Sequence, residues 1–315
     1  MSPNNPIVMA LPVDRKIVSV SAKDFVRMDL PERKVLLTPW LPEQGLAMIH
    51  APRGVGKTFF ALSCAYAVAT GQGFLKFNAP SPRKVLYIDG EMPAPTMQLR
   101  IAQMINSDSK VDIPLKIITP DLQPKNERSI NISDPSDQVA IASLVEESDL
   151  IIIDSISTLV RGGRENEAES WIPVQEWALN QRAEGRSVLF IHHSGKGGAQ
   201  RGTSRREDVL DTVIGLRRPA EYNPEDGAVF EVHFEKSRGF IGDDAKPFEA
   251  RLMLNERGHL IWTHRSLETT TYERVCRLID EGLTQKEVAM ELGINKSNVS
   301  RHAKQGRQSG DIHFG

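Results

Sequence analysis

Residues 46–60 read LAMIHAPRGVGKTFF, a short apolar run that empties into a glycine-bearing loop and then into a stretch with helical character. That order is strand, loop, helix. Ala51, Gly56, Lys57 and Thr58 keep the spacing of G-x-x-x-x-G-K-[ST], with alanine standing where the first glycine would be. Such a loop turns its backbone N–H groups inward around a triphosphate, so Gly54 and Gly56 must lack side chains that would block the approach. ATP contacts are therefore expected from Arg53, Gly54, Val55, Gly56, Lys57, Thr58 and Phe59. Within that set Lys57 reaches the β- and γ-phosphates and the Thr58 hydroxyl ligates Mg2+. The helix that follows starts at the anion, where its free N–H groups and its dipole favour negative charge.

A chain of 315 residues is long enough for one large α/β domain and a small appendage. Charged residues make up 25% and the net charge is −2, so only local clustering of charge can point to nucleic acid. Cys64 and Cys276 lie far apart, without the paired spacing of a metal site or a disulfide framework. The leading MSPNNPIVMALPVDRK carries a proline inside its apolar stretch and no basic residue ahead of it, a poor secretory leader. No run nears the ~18 apolar residues needed to span a bilayer. The expectation is a soluble, cytoplasmic protein without a membrane partner.

Residues 1–35 are proline-punctuated and read as an N-terminal arm with one short helix near Ser21 to Met28. From there strands at 45–50, 84–89, 115–118, 150–154 and 187–192 alternate with helices at 57–70, 96–106, 136–147 and 169–183. Alternation of this kind predicts a mostly parallel sheet with helices on both faces. Beyond Arg201 the pattern changes to strands at 211–216, 228–236, 248–254 and 260–263, an antiparallel extension at the C-terminal end. The polar stretch His264 to Thr271 reads as a linker, so the expected units are 1–35, 36–265 and 266–315.

Leu150 to Asp154, LIIID, is an apolar run ending in a carboxylate, as a buried parallel strand delivers a charge at the sheet edge where such folds bind ligands. Asp154 is thus the expected metal partner of Thr58. Ser155 follows directly, so no base sits beside it and the activating carboxylate must come from elsewhere. YIDGE, at 87–91, brings Glu91 to the same edge as a group that polarises the attacking water, with Asp89 as its competitor. Val188 to Ile191 ends in His192 and His193, of which His193 is favoured as the γ-phosphate sensor.

The phosphate loop, YIDGE, LIIIDS, LFIHHSGKGG with RGTS after it, and the late EKSRG together resemble the RecA-like, DnaB-type ATPases, above all the RepA-like hexameric helicases of plasmids and phages. The likeness spans roughly residues 30–265. It implies a RecA-like P-loop core, a homo-oligomeric ring of six, ATP held between subunits, and single-stranded DNA in the central pore. It also implies that Glu91 is the catalytic carboxylate and that His193 takes the sensor position. Lys236 and Arg238 then match the lysine-x-arginine element that reaches a neighbour's nucleotide, with Arg217 and Arg218 as alternatives. Two loops fall where this family lines its pore, one with Arg161 and Arg164, the other with Lys196, Arg201, Arg205 and Arg206.

The C-terminal stretch reads independently as a helix-turn-helix. A helix from Tyr272 to Glu281 precedes TQKEVAMEL, capped by Thr284; Gly293 turns the chain, and Asn295 begins a third helix. Seven acids and seven bases balance over 267–315, yet Lys296, Arg301, Lys304 and Arg307 share a stretch without any acid. Asn295, Lys296, Ser297, Asn298 and Arg301 are the expected contacts to duplex DNA. The functional expectation is an ATP-hydrolysing DNA motor of the replicative-helicase type. The alternative is a nucleotide-controlled DNA-binding regulator, or a recombination mediator, that does not unwind.

Overall fold

The computed structural model describes residues 17–105, 112–124, 129–161, 167–194, 207–219, 222–223, 225 and 227–313. Two compact units divide the chain at Arg33. In the first, α1 (Ala22–Arg27) is capped by Ser21, whose hydroxyl accepts from the Asp24 amide, and it buries none of its residues.

The second unit begins with a small hairpin, β1 (Val35–Leu37) and β2 (Leu41–Pro42), and then enters β3 (Leu46–Ala51). There follow α2 (Lys57–Thr70), a second small hairpin of β4 (Gly73–Phe74) and β5 (Phe77–Asn78), β6 (Val85–Asp89), α3 (Ala94–Met104) and β7 (Leu115–Ile118). Next come α4 (Pro135–Ala140), α5 (Ala142–Glu146), β8 (Leu150–Asp154), α6 (Ile156–Leu159), α7 (Glu167–Ala183) and β9 (Ser187–His193). The remainder is β10 (Thr212–Arg217), β11 (Ala228–Ser237), β12 (Phe248–Leu254), β13 (Leu260–Ser266), α8 (Leu267–Asp280), α9 (Gln285–Glu291) and α10 (Lys296–Ser309).

Nine strands form one sheet in the order β13-β12-β11-β10-β3-β9-β8-β6-β7. From β10 to β7 all neighbours are parallel, and β11, β12 and β13 add antiparallel to the β10 side. β3, β6 and β8 are buried along their whole length, which is why they read as unbroken apolar runs rather than as alternation. Alternate residues of β3 serve different faces. Ala47, Ile49 and Ala51 join α2 and an aromatic cluster of Phe60, Phe74, Phe77 and Phe230, while Leu46 and Met48 meet Trp171, Val174 and Trp177 of α7. This is the α/β class the sequence predicts, a RecA-like parallel core with antiparallel C-terminal strands.

Several local expectations differ from the structure. The helix expected over 136–147 is broken at Ile141 into α4 and α5, and the hairpins β1–β2 and β4–β5 and the short α6 were not foreseen, being only two to four residues long. The expected linker at 264–271 does not exist. His264, Arg265 and Ser266 pair with Ala250, Glu249 and Phe248 as the end of β13, and Ser266 then caps α8, its hydroxyl accepting from the Thr269 amide. An edge strand is polar because it faces solvent, and so it resembles a linker in sequence.

The last three helices close a small core of Val275, Cys276, Leu278, Ile279, Val288, Val299, Ala303 and Ile312. Thr284 and Glu287 form a reciprocal capping box at the start of α9. Gly306 on α10 lets α8 approach closely, since a Cβ there would lie 2.6 Å from Cys276 Sγ.

Candidate nucleotide site

The phosphate loop leaves β3 at its C-terminal edge, where Ala51 O accepts from the Ser194 amide and holds β3 beside the end of β9. Gly56 has φ of +121°, and a Cβ on it would come within 2.9 Å of the Phe230 ring, so both backbone and space demand glycine. As the residue before α2 it supplies no side-chain cap, leaving the first N–H groups of the helix to an anion. Alanine at position 51 is accommodated as the fully buried last residue of β3.

Lys57 is buried and its ammonium donates to the loop's own carbonyls, Ala51 O at 2.7 Å and Pro52 O at 2.8 Å. Burial lowers its pKa to about 8; Asp154 and Glu91 act to raise it and Arg53 to lower it further. Asp154, at the tip of β8, accepts from Tyr87 Oη at 2.5 Å and from the Thr58 hydroxyl. Its own pKa is raised by burial, against the lowering effect of those two hydroxyls. Thr58 and Asp154, the two residues expected to hold a metal, are therefore in direct contact. Among the described residues no group of three or more His, Cys, Asp and Glu is placed to hold a metal ion. A Mg2+ ion that keeps waters and takes oxygens from phosphate fits this hydroxyl and carboxylate pair without such a cluster.

Glu91 lies just past β6. Its Oε1 accepts from Ser155 Oγ at 2.9 Å and sits 3.2 Å from His193 Nε2, while the carboxylate remains 43% exposed. The strand register explains the meeting: Asp89 is level with Asp154, and Ala51 is level with His193, so the three tips end on one edge. His193 is the histidine that reaches Glu91, whereas His192 is level with His50. Asp89 is 3% exposed and its Oδ2 accepts from the Met92 amide at 2.8 Å, which caps the turn after β6. Burial, with help from Asp154 and Glu91, raises its pKa to about 7 against the Met92 and Glu91 amides.

Two participants were not foreseen from sequence. Tyr87 bonds Asp154, and its only signal was a hydroxyl-bearing residue two before Asp89, on the same side of an otherwise apolar strand. Arg100 on α3 lies over the Phe59 ring at 4.2 Å; burial lowers its pKa while Tyr87, Asp154 and Asp89 draw it up. Nothing in the sequence singled it out among the arginines.

The cations expected to act on a neighbour have partners within the chain. Lys236 Nζ donates to Glu207 O and Arg238 Nη2 to Asp208 O at 3.2 Å. Arg217 bonds Glu235 at 2.9 Å. Arg218 donates to Gly54 O at 2.9 Å and stacks on Tyr222 at 4.1 Å, so it braces its own phosphate loop.

Of the expected DNA contacts, Arg161 is turned back onto the carbonyls of Ser129 and Ile130. Arg164, Lys196, Arg201, Arg205 and Arg206 lie outside the described residues. Asn295, Lys296, Ser297, Asn298 and Arg301 are exposed on the first turns of α10. Arg301 is paired with Glu268 of α8 at 2.7 Å, so the stretch without acids in sequence acquires one in space.

No helix among the described residues is long and apolar enough to cross a membrane. Among proteins with curated descriptions none matches this chain. Solved structures similar to it include the flagellar accessory protein FlaH of Methanocaldococcus jannaschii, at 14% identity, with 67% of this chain and 87% of that one covered and a TM-score of 0.48. A KaiC-like protein of Pyrococcus horikoshii OT3 is similar at 15% identity, with 72% and 93% covered and a TM-score of 0.49. A family model described as an AAA domain, AAA_25, matches residues 13–199. Because that match takes in more than half of the chain, from ahead of the phosphate loop through the paired histidines of β9, the protein belongs to the AAA_25 family of AAA-domain P-loop ATPases.

Proposed function

We propose that this chain is an ATP-hydrolysing, ring-forming DNA motor of the plasmid and phage replicative-helicase type. The observation that carries the hydrolytic part is the meeting of Lys57, Thr58, Asp154, Glu91 and His193 on one sheet edge. Glu91, steadied by Ser155 and His193 yet open to solvent, orients the attacking water and takes its proton. Lys57 exchanges the carbonyls of Ala51 and Pro52 for phosphate oxygens when nucleotide enters. Mg2+, held by Thr58 and supported by Asp154, would neutralise charge on the phosphates when bound. A neighbour's Lys236 or Arg238 would complete the pocket, so that hydrolysis follows assembly.

The pore assignment draws on the basic residues of the two loops, and the duplex contact on the exposed polar start of α10. Strand displacement on a forked duplex, measured with ATP and with a non-hydrolysable analogue, tests the reading. Unwinding that requires hydrolysis supports it. A chain that hydrolyses ATP and assembles, yet never displaces a strand, refutes the motor. Mixing Arg238→Ala with Glu91→Ala chains should restore some turnover at mixed interfaces, and no rescue would count against action in trans.

A second reading, a nucleotide-controlled DNA-binding regulator, is favoured by one feature. β13 passes into α8 with no intervening residue, so the C-terminal helices are coupled directly to the sheet rather than tethered.

A further inference from the structure

Away from the phosphate loop, a cavity of about 420 Å3 opens between β12, β13 and α8. Four guanidinium groups line it, Arg251, Arg265, Arg274 and Arg277, against two carboxylates, Glu249 and Glu273. Glu249 is the buried one, 5% exposed, and both its oxygens are taken, Oε1 by Arg265 Nη2 and Oε2 by Arg274 Nη2, each at 3.1 Å. Glu273 meets the other nitrogen of Arg265 at 2.7 Å. These pairs join α8 to the sheet and hold two guanidinium planes at fixed angles to the cavity.

Fastening the helix uses Arg265 and Arg274. Arg251 on β12 and Arg277 on α8 bring two more cations to the same space, and Arg277 also reaches Glu281 at 3.6 Å across an exposed pair. The walls therefore carry two positive charges in excess of the negative ones. Like charges gathered in a concave space repel unless an anion joins them. Planar guanidinium forks suit phosphate oxygens, which they engage two at a time. The volume accepts a pair of phosphate groups but has no apolar floor for a hydrophobic ligand.

We propose that this cavity is a second anion site, separate from the phosphate loop, for a ligand that presents two adjacent phosphate groups. The ligand is either a free oligophosphate or two successive phosphates of a nucleic-acid backbone.

The test is calorimetric titration of inorganic pyrophosphate, without divalent cations, into the full chain. Wild type should bind two per chain, Lys57→Ala only the one in the arginine cavity, and Arg251→Ala/Arg277→Ala only the one at the phosphate loop. Second-site affinity in the alanine pair should fall by at least about 100-fold, as expected for losing two charge-assisted contacts. A stoichiometry of two in the alanine pair overturns the proposal, as does a single wild-type site that vanishes in Lys57→Ala. Should the alanine pair fail to fold, Arg277→Gln, at a side chain 55% exposed, is read instead. A loss of about tenfold then supports the site and unchanged binding overturns it. Competition by a single-stranded decanucleotide assigns the phosphates to nucleic acid, and its absence assigns them to a free oligophosphate.

Discussion

Raising the pH from 7 to 9 should weaken ATP binding, and Lys57 sets the size of the effect. In the nucleotide-free chain burial lowers its pKa to about 8. A triphosphate at Nζ favours the ammonium, so the bound chain keeps its proton throughout this range. At pH 7 about nine in ten free chains already carry the charge, and at pH 9 only about one in eleven does, so binding must take up the missing proton. The ratio of these fractions predicts a Kd about tenfold higher at pH 9, or ~1.4 kcal/mol. Calorimetry in buffers of different ionisation enthalpy should show about 0.9 proton taken up per nucleotide at pH 9. The ATP phosphates are already almost fully ionised above pH 7, so they add little to this slope. Lys57→Ala should bind more weakly at every pH and lose the slope. A flat Kd in wild type, or an equal slope in Lys57→Ala, would refute the assignment of a depressed Lys57 to phosphate contact. The sign for folding is opposite. Because the unfolded chain holds its proton up to the ordinary lysine value of 10.5, stability without nucleotide should rise with pH between about 8 and that value.

Glu91→Gln should lower kcat by at least about 100-fold with nucleotide affinity little changed, checked by single-turnover hydrolysis against equilibrium binding; equal losses in both would remove Glu91 from the chemistry. Asp89 has its pKa raised to about 7, so the folded chain binds a proton that the unfolded chain lacks between its ordinary 3.8 and that value, and stability falls as pH rises through this window. Asp89→Asn should flatten that fall, a difference on the order of 2 kcal/mol after allowance for solvent screening, read from urea melts at pH 5 and pH 8. Gly306→Val should place a branched side chain against Cys276 and Ile312 and cost the C-terminal helices about 1–3 kcal/mol, followed by hydrogen exchange in α8 and α10 while ATP turnover persists.

The phosphate loop was legible because its chemistry is local: strand, glycine turn and helix lie within fifteen consecutive residues, and their spacing alone states what they can hold. The buried strands were legible for a related reason, since a strand covered on both faces must be apolar throughout and can place a charge only at its tip. Asp154 and Glu91 stood out on that account. What a single line of residues could not convey was adjacency. Ser155 and His193 come together on Glu91 because β6, β8 and β9 lie side by side in register, and sequence order does not state the strand order. Arg100 reaches Phe59 from a helix whose exposed residues look alike one by one.

The same limit explains the expectations that changed. Lys236, Arg238 and Arg218 are cations at sequence positions suited to a neighbour's nucleotide, and the fold gives each a partner within its own chain. Glu268 meets Arg301 only because α8 and α10 pack together. The polar end of β13 read as a linker until its pairing with β12 showed it to be the edge of the sheet. Sequence alone thus determined the elements, the class of fold and the phosphate-binding loop, all of which depend on patterns within short windows. Only the tertiary structure decided which carboxylate, which histidine and which cations share a space, because charge and hydrogen bonding act over a few ångströms, whatever number of residues separates the partners.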